Sequence, residues 1–209
     1  MSPLEAIAGF AVAAGLLTIL PGLDTALVLR TAAVEGPRRA ALAGLGITLG
    51  CLVWGTAVAV GLGALLAASH LAFTLLKWAG AAYLLWLGIG MLARPRQSFE
   101  LDGEAAGPAG GELAWLRRGL LTNLLNPKIG VFYVSFLPQF MAQGVPTGPF
   151  LVLLAAIHGL IGLAWFAMLI TATRPLARAL KRPAVVAWLD RLTGGVFVAF
   201  AARLALSRA

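Results

Sequence analysis

The chain has 209 residues, 60% of them hydrophobic and only 11% charged, against roughly 25% charged in soluble domains. Its net charge of +8 does not signify nucleic-acid binding, because the basic residues sit in short clusters between apolar segments, where membrane proteins use them to set topology. Cys51 is the one cysteine, which excludes an intramolecular disulfide or a CxxC redox pair.

Six segments read as membrane-spanning helices: about Leu4–Ala33, Ala40–Ala68, Leu71–Ala93, Leu113–Met141, Pro149–Thr173 and Ala184–Leu206. The amino terminus, Met1 to Ala14, carries Glu5 and no Lys or Arg, so it lacks a basic leader and the first span is expected to be retained. That span is interrupted by Pro21-Gly22-Leu23-Asp24. Asp24 lies about 9 residues, roughly 13 Å, inside the cytoplasmic end of its helix. The second span lies in a run of 37 residues, Ala40 to Leu76, without a charge, and contains the close-packing pattern Gly46-x-x-x-Gly50. The third span is followed by Arg94 to Arg118, a Gly-, Ala- and Pro-rich loop that holds four of the eight acids and reads as a flexible linker.

The fourth span is interrupted at Asn126-Pro127-Lys128, where Asn is suited to cap a restarting helix and Pro to its first position. Lys128 lies about 13 residues, roughly 20 Å, from the outer end. Gln143 to Pro149 is the turn that leads into the fifth span, which carries His158 near its middle. In the sixth, Asp190, Arg191 and Arg203 shorten the clean apolar stretch.

The connections between spans 1–2, 3–4 and 5–6 hold 12 of the basic residues and the opposite side holds 3. The positive-inside rule then places both termini outside and the 94–118 loop in the cytoplasm. The halves also resemble each other. Leu17 to Pro21 lines up with Thr122 to Pro127, and the run from Gly80 lines up with that from Gly194. The expected architecture is all-α, two three-helix repeats (1–93 and 113–209) joined by a linker (94–112), with helices 1 and 4 discontinuous. Three spans per repeat is an odd number, so the repeats are inverted, as in secondary transporters with a midplane site at the repeat interface.

Ionisable groups at membrane depth mark functional sites by default. A zwitterionic amino acid offers an ammonium that suits Asp24 and a carboxylate that suits Lys128 and helix amino-termini. The expected substrate-binding set is Pro21, Gly22, Asp24, Thr25, Asn123, Asn126, Pro127 and Lys128. Asp24 and His158 are the proton-coupling candidates. A structural Asp24–Lys128 ion pair and a histidine satisfied by a neighbouring carbonyl are the alternatives at these positions. No catalytic constellation, metal-ligand spacing or nucleotide motif occurs in the sequence, so no enzyme activity, metal or cofactor is expected.

Pro21 to Arg30, followed by the small-residue second span, resembles the opening motif of the LysE/RhtB family of amino-acid exporters. Gly119 to Lys128 with Phe136-Leu137-Pro138-Gln139-Phe140 resembles the second signature of that family. Leu23 stands where the family motif often has a second proline. The resemblance implies a bacterial inner-membrane exporter of amino acids or close relatives, driven by the proton motive force, with the bilayer and a small-molecule substrate as partners and a homodimer among the assemblies it allows. A passive channel and an exporter of metal or other small solutes are the alternative readings.

Overall fold

The computed structural model describes residues 1–20, 22–68, 78, 81–82, 85–86, 88–95, 111–172 and 182–206. Among them the chain is helical throughout, with no strand. Pro21, much of the third expected span and most of the 94–112 linker lie outside the described residues.

Helix α1 (Pro3–Ile19) starts at a capping box. The Ser2 hydroxyl accepts from the Glu5 amide at 3.3 Å, and the Glu5 carboxylate accepts from the Ser2 amide at 2.8 Å. Helix α2 (Leu23–Val34) follows with its axis turned by 53° from α1. Gly36, at φ 94°, ends α2 in the left-handed conformation that glycine tolerates, and Pro37 opens α3 (Pro37–Ala68). The described positions of the third segment, Trp78 and the others up to Ala93, are helical.

Helix α4 (Glu112–Leu124) and helix α5 (Pro127–Val131) form the second bent pair. From α5 the chain continues through a π-helical turn (Phe132–Phe136) and a 3₁₀ turn (Leu137–Phe140), a run that lies at 55° to α4. Helices α6 (Thr147–Thr171) and α7 (Pro183–Leu206) complete the described chain. Pro37–Gly61 and Thr147–Thr171 are each long and apolar enough to cross a membrane, and each bent pair is so when taken together. Large apolar side chains also cover the outside, with Leu4, Val12, Val60, Trp86 and Leu160 all more than 60% exposed. That exterior suits lipid rather than water.

Two contacts fix which ends lie together. The Gln143 amide donates to the Met1 carbonyl at 3.2 Å, joining the amino terminus to the turn before α6. At the other end Arg38 Nε meets Glu112 Oε1 at 2.9 Å, joining the α2–α3 turn to the start of α4.

The interior divides at the first break. Ala6, Phe10, Ala13, Ala14 and Leu17 of α1 pack with Phe132, Tyr133, Phe136, Leu137 and Phe140, and with Leu151, Leu154 and Ala155 of α6. Val28 and Leu29 of α2 pack instead with Ala40 and Ile47 of α3, Phe166 and Leu169 of α6, and Val186 of α7. The first cluster is strongly aromatic: ring centroids of Phe10 and Phe140 lie 5.5 Å apart, and those of Phe136 and Phe140 5.0 Å apart.

Helices α3 and α4 cross where neither has a side chain. A Cβ on Gly46 would run into the Leu116 carbonyl, and one on Gly119 into the Ala43 carbonyl. The Gly46-x-x-x-Gly50 pattern is thus half of a two-sided seam that Gly119 completes. In an ordinary helix Gly→Ala gains about 0.5–1 kcal/mol. Here Gly46→Ala and Gly119→Ala are each expected to lose about 1–3 kcal/mol to overpacking. At this chain length that is a fall of roughly 2–12 °C in melting temperature in detergent. Gly15→Ala, whose Cβ meets nothing within 4 Å, is expected to hold or raise it. Equal behaviour of the three variants in a thermal melt would contradict the seam.

Candidate functional site

The two breaks face each other. Gly22 is the residue from which α2 starts, with extended backbone at φ −150°, and Asn126 plays the same part for α5. Asp24 and Lys128 each come two residues later, so they hold equivalent positions in the first turns of the two restarted helices. Aligning the helix starts gives an offset of 104 (126 less 22), two fewer than aligning the prolines.

Each charged side chain crosses to the other break. The Asp24 carboxylate accepts from Asn123 Nδ2 at 2.8 Å and from Asn126 Nδ2 at 3.3 Å. The Lys128 ammonium donates to the Leu17 carbonyl at 3.3 Å and the Leu20 carbonyl at 3.4 Å. Those carbonyls belong to the last turn of α1, where a helix leaves acceptors unfilled and carries partial negative charge. The hydrogen bonds to Asp24 therefore come from two asparagine amides of the second half. Lys128 closes over Gly22, where a Cβ would stand 3.0 Å from its Nζ.

Local sequence explains the second break. Asn126 accepts from the Lys128 amide at 3.1 Å and Pro127 holds the first helical position, as the sequence led us to expect. Asn126 thus does two things with one amide: its oxygen caps α5 and its nitrogen holds Asp24. Asn123 is fully buried, its Nδ2 also 3.6 Å from Cys51 Sγ, and it fits because Gly50 leaves room beside it.

A pocket, partly open to its surroundings, lies beside this interlock. Gly22, Asp24, Thr25, Lys128 and His158 line it, so five of the expected site residues share one cavity. Asn123 and Asn126 are buried behind Asp24, and Pro127 is exposed at the start of α5. Pro21 lies outside the described residues. The rest of the wall includes Ile47, Thr48 and Cys51 from α3, and Gly159, Gly162 and Phe166 from α6. The sequence reading missed this wall. His158, Gly159, Gly162 and Phe166 recur at helical spacing, the one signal that would have exposed it.

His158 is buried, with its Nδ1 3.0 Å from the Tyr133 hydroxyl. Its ring also stacks on Tyr133 and meets Phe132 edge-on, both at 5.6 Å between centroids. Tyr133 sits in the π-helical turn, a backbone irregularity that often accompanies functional sites. Among the described residues no group of three His, Cys, Asp or Glu side chains is arranged to hold a metal ion.

Among the described residues the chain is helical and strand-free, with an apolar exterior and a charged pocket between two broken helices, as suits a membrane protein. The family model of LysE type translocators matches residues 16–208, and the chain belongs to that family. The chain is 34% identical to a leucine efflux protein of Enterobacter sp. (strain 638), over 94% of its own length and 92% of the relative's. It is 32% identical to a homoserine/homoserine lactone efflux protein of Salmonella typhi, over 92% of each chain. It is 29% identical to the membrane protein YrhP of Bacillus subtilis (strain 168), over 93% and 95% of the two lengths. No solved structure matches the chain.

The double role of Asn126 can be dissected. Asn126→Ala removes a cap worth about 1 kcal/mol and is expected to lower the melting temperature by roughly 2–4 °C. Asn126→Asp keeps the capping oxygen but sets a second carboxylate beside Asp24, and is expected to be the more destabilising of the two near neutral pH. The order of the two melting temperatures checks this, and the reverse order would show that the cap outweighs the contact with Asp24.

Proposed function

We propose that this protein exports amino acids or close derivatives across the bacterial inner membrane. It works by alternating access and draws on protons moving inward. The observation that carries the reading is the reciprocal interlock of Asp24 and Lys128 at one pocket. The names of the leucine and homoserine efflux relatives agree with it.

The pocket offers what a zwitterion needs. A substrate carboxylate draws Lys128 away from the Leu17 and Leu20 carbonyls, and its ammonium takes the Asp24 carboxylate. Both charges of the pocket are then answered by the two charges common to all amino acids. The remaining wall, with Ile47, Phe166 and two glycines beside the uncharged Thr18, Thr48 and Cys51, suits an uncharged side chain. This favours neutral over basic substrates, since a second cation would find no partner there.

In this reading residues 1–93 and 113–209 are inverted repeats joined by the 94–112 linker, with both termini outside and the linker in the cytoplasm. Equivalent placement of Asp24 and Lys128, and breaks of 53° and 55° in the two halves, support it. Substrate loads from the cytoplasm. The repeats then rock about the breaks, and a proton arriving from outside neutralises Asp24 and releases the ammonium. His158, which bonds Tyr133 and lines the same pocket, is the candidate to pass that proton.

Counterflow of labelled amino acids in proteoliposomes, with and without an imposed pH gradient, tests the proposal. Saturable exchange of neutral amino acids is expected, with Asp24→Asn abolishing the proton-driven component. Unsaturating flux would mean a channel, and unimpaired proton-driven export by Asp24→Asn would remove that residue from the coupling.

A further inference from the structure

A second pocket opens between α2 and α4 and shares no lining residue with the first. Leu27, Arg30, Thr31 and Val34 form one stripe of α2, and Trp115 and Arg118 face them from α4 one turn apart. Glu35 lines the pocket as well, and Arg39 holds its carboxylate. The Thr31 hydroxyl donates to the Leu27 carbonyl at 2.6 Å, so its proton is committed. The Arg118 guanidinium lies 5.4 Å from the centroid of the Trp115 ring, which is buried and holds it in place.

Arg30 and Arg118 are both half-buried, and among the described residues neither makes a hydrogen bond or an ion pair. Two guanidinium groups, with five N–H donors each, therefore line one cavity whose lining carboxylate, that of Glu35, is held by Arg39. Like charges placed together and partly removed from water are unfavourable unless something negative joins them. A guanidinium fork fits a phosphate or carboxylate with paired hydrogen bonds.

Depth selects among the anions. Arg30 lies four residues before the end of α2 and Arg118 six residues after the start of α4. At helical rise these are roughly 6–9 Å inside the helix ends. The headgroup region on one side of a bilayer is roughly 5–8 Å thick, so the two arginines sit at about the level of lipid phosphates. Leu27 and the exposed Val34 add apolar wall on the same stripe. We propose that this pocket binds the phosphate of an anionic phospholipid, gripped by Arg30 and Arg118, with Leu27 and Val34 against the start of the acyl chains. The proposal rests on the membrane placement given above and is independent of the cargo and of the coupling.

The test uses the full chain, purified and delipidated in detergent. Native mass spectrometry and thermal melts are run with phosphatidylglycerol, phosphatidylcholine and inorganic phosphate as probes. Phosphatidylglycerol is expected to bind and raise the melting temperature, and phosphatidylcholine to do neither. Arg30→Gln and Arg118→Gln should each weaken phosphatidylglycerol binding about 5-fold, the change expected from one arginine at an anionic lipid surface. Arg117→Gln, exposed and outside the pocket, should leave it unchanged. If Arg118→Gln does not fold for want of its contact with Trp115, Arg30→Gln carries the test alone. Wild-type affinity in folded Arg30→Gln would overturn the proposal. So would equal protection by inorganic phosphate that displaces the lipid, which would make free phosphate the ligand.

Discussion

Broken helices expose amide and carbonyl groups that hydrocarbon cannot satisfy, so a membrane protein that breaks two of them must fill those groups from within. Here side chains tie the two breaks together, while Asn126 caps the second from within. The carbonyls at the end of α1 are taken by Lys128, and the carboxylate at the start of α2 by Asn123 and Asn126. This exchange fixes the relative placement of the halves, since neither side chain reaches its partners unless the breaks lie at the same depth and face inward. Close approach follows as a second condition. Gly46 and Gly119 let α3 and α4 touch backbone to backbone, and Gly50 leaves the space in which Asn123 lies.

The same break separates two bodies of packing. α1 belongs to the aromatic cluster with the irregular 132–140 run, and α2 to the aliphatic cluster with α3 and α7. Among the described residues α3 contributes to both, with Cys51 and Val58 in the first and Ala40 and Ile47 in the second, and so, more heavily, does α6. Its lower half presents Leu151, Leu154 and Ala155 to one cluster, and its upper half presents Phe166 and Leu169 to the other. Between these stand His158, Gly159 and Gly162, which face the pocket. In the transport reading this is where movement costs least, because glycines fill little of the space between the clusters. A substrate that displaces Lys128 also loosens the bond that joins α1 to the second half.

Much of this was legible in the sequence for a simple reason: defects in an apolar chain are conspicuous. A proline, an asparagine and two charges inside uncharged runs announced both breaks, and the cap at Asn126 followed from residue type alone. The crossing of partners was not legible. The sequence offered an Asp24–Lys128 ion pair as the alternative to a substrate site, and gave no sign that Asp24 takes hydrogen bonds from asparagine amides or that Lys128 donates to helix carbonyls. Distances between segments about 100 residues apart depend on how closely helices pack, which is set by glycines whose role shows only once the neighbour is known. The apolar wall of the pocket was hidden likewise, since Ile47 and Phe166 look like any other membrane residues. The proline-based repeat alignment fell two residues from the helix starts, because proline follows the cap in one half and precedes it in the other.

The opposite charges at equivalent positions carry a further implication. The first turn of a helix is the positive end of its dipole, which suits Asp24 and disfavours a lysine by a few tenths of a kcal/mol to about 1 kcal/mol. Helix energetics alone would therefore put an acid at position 128 as well. Lys128 is retained against its own helix and compensated by the negative end of α1. That arrangement balances charge within the breaks: the ammonium and two helix amino-terminal ends face the Asp24 carboxylate and the carboxy-terminal ends of α1 and α4. In the transport reading proposed above, a substrate carboxylate is the anion that draws Lys128 from those carbonyls.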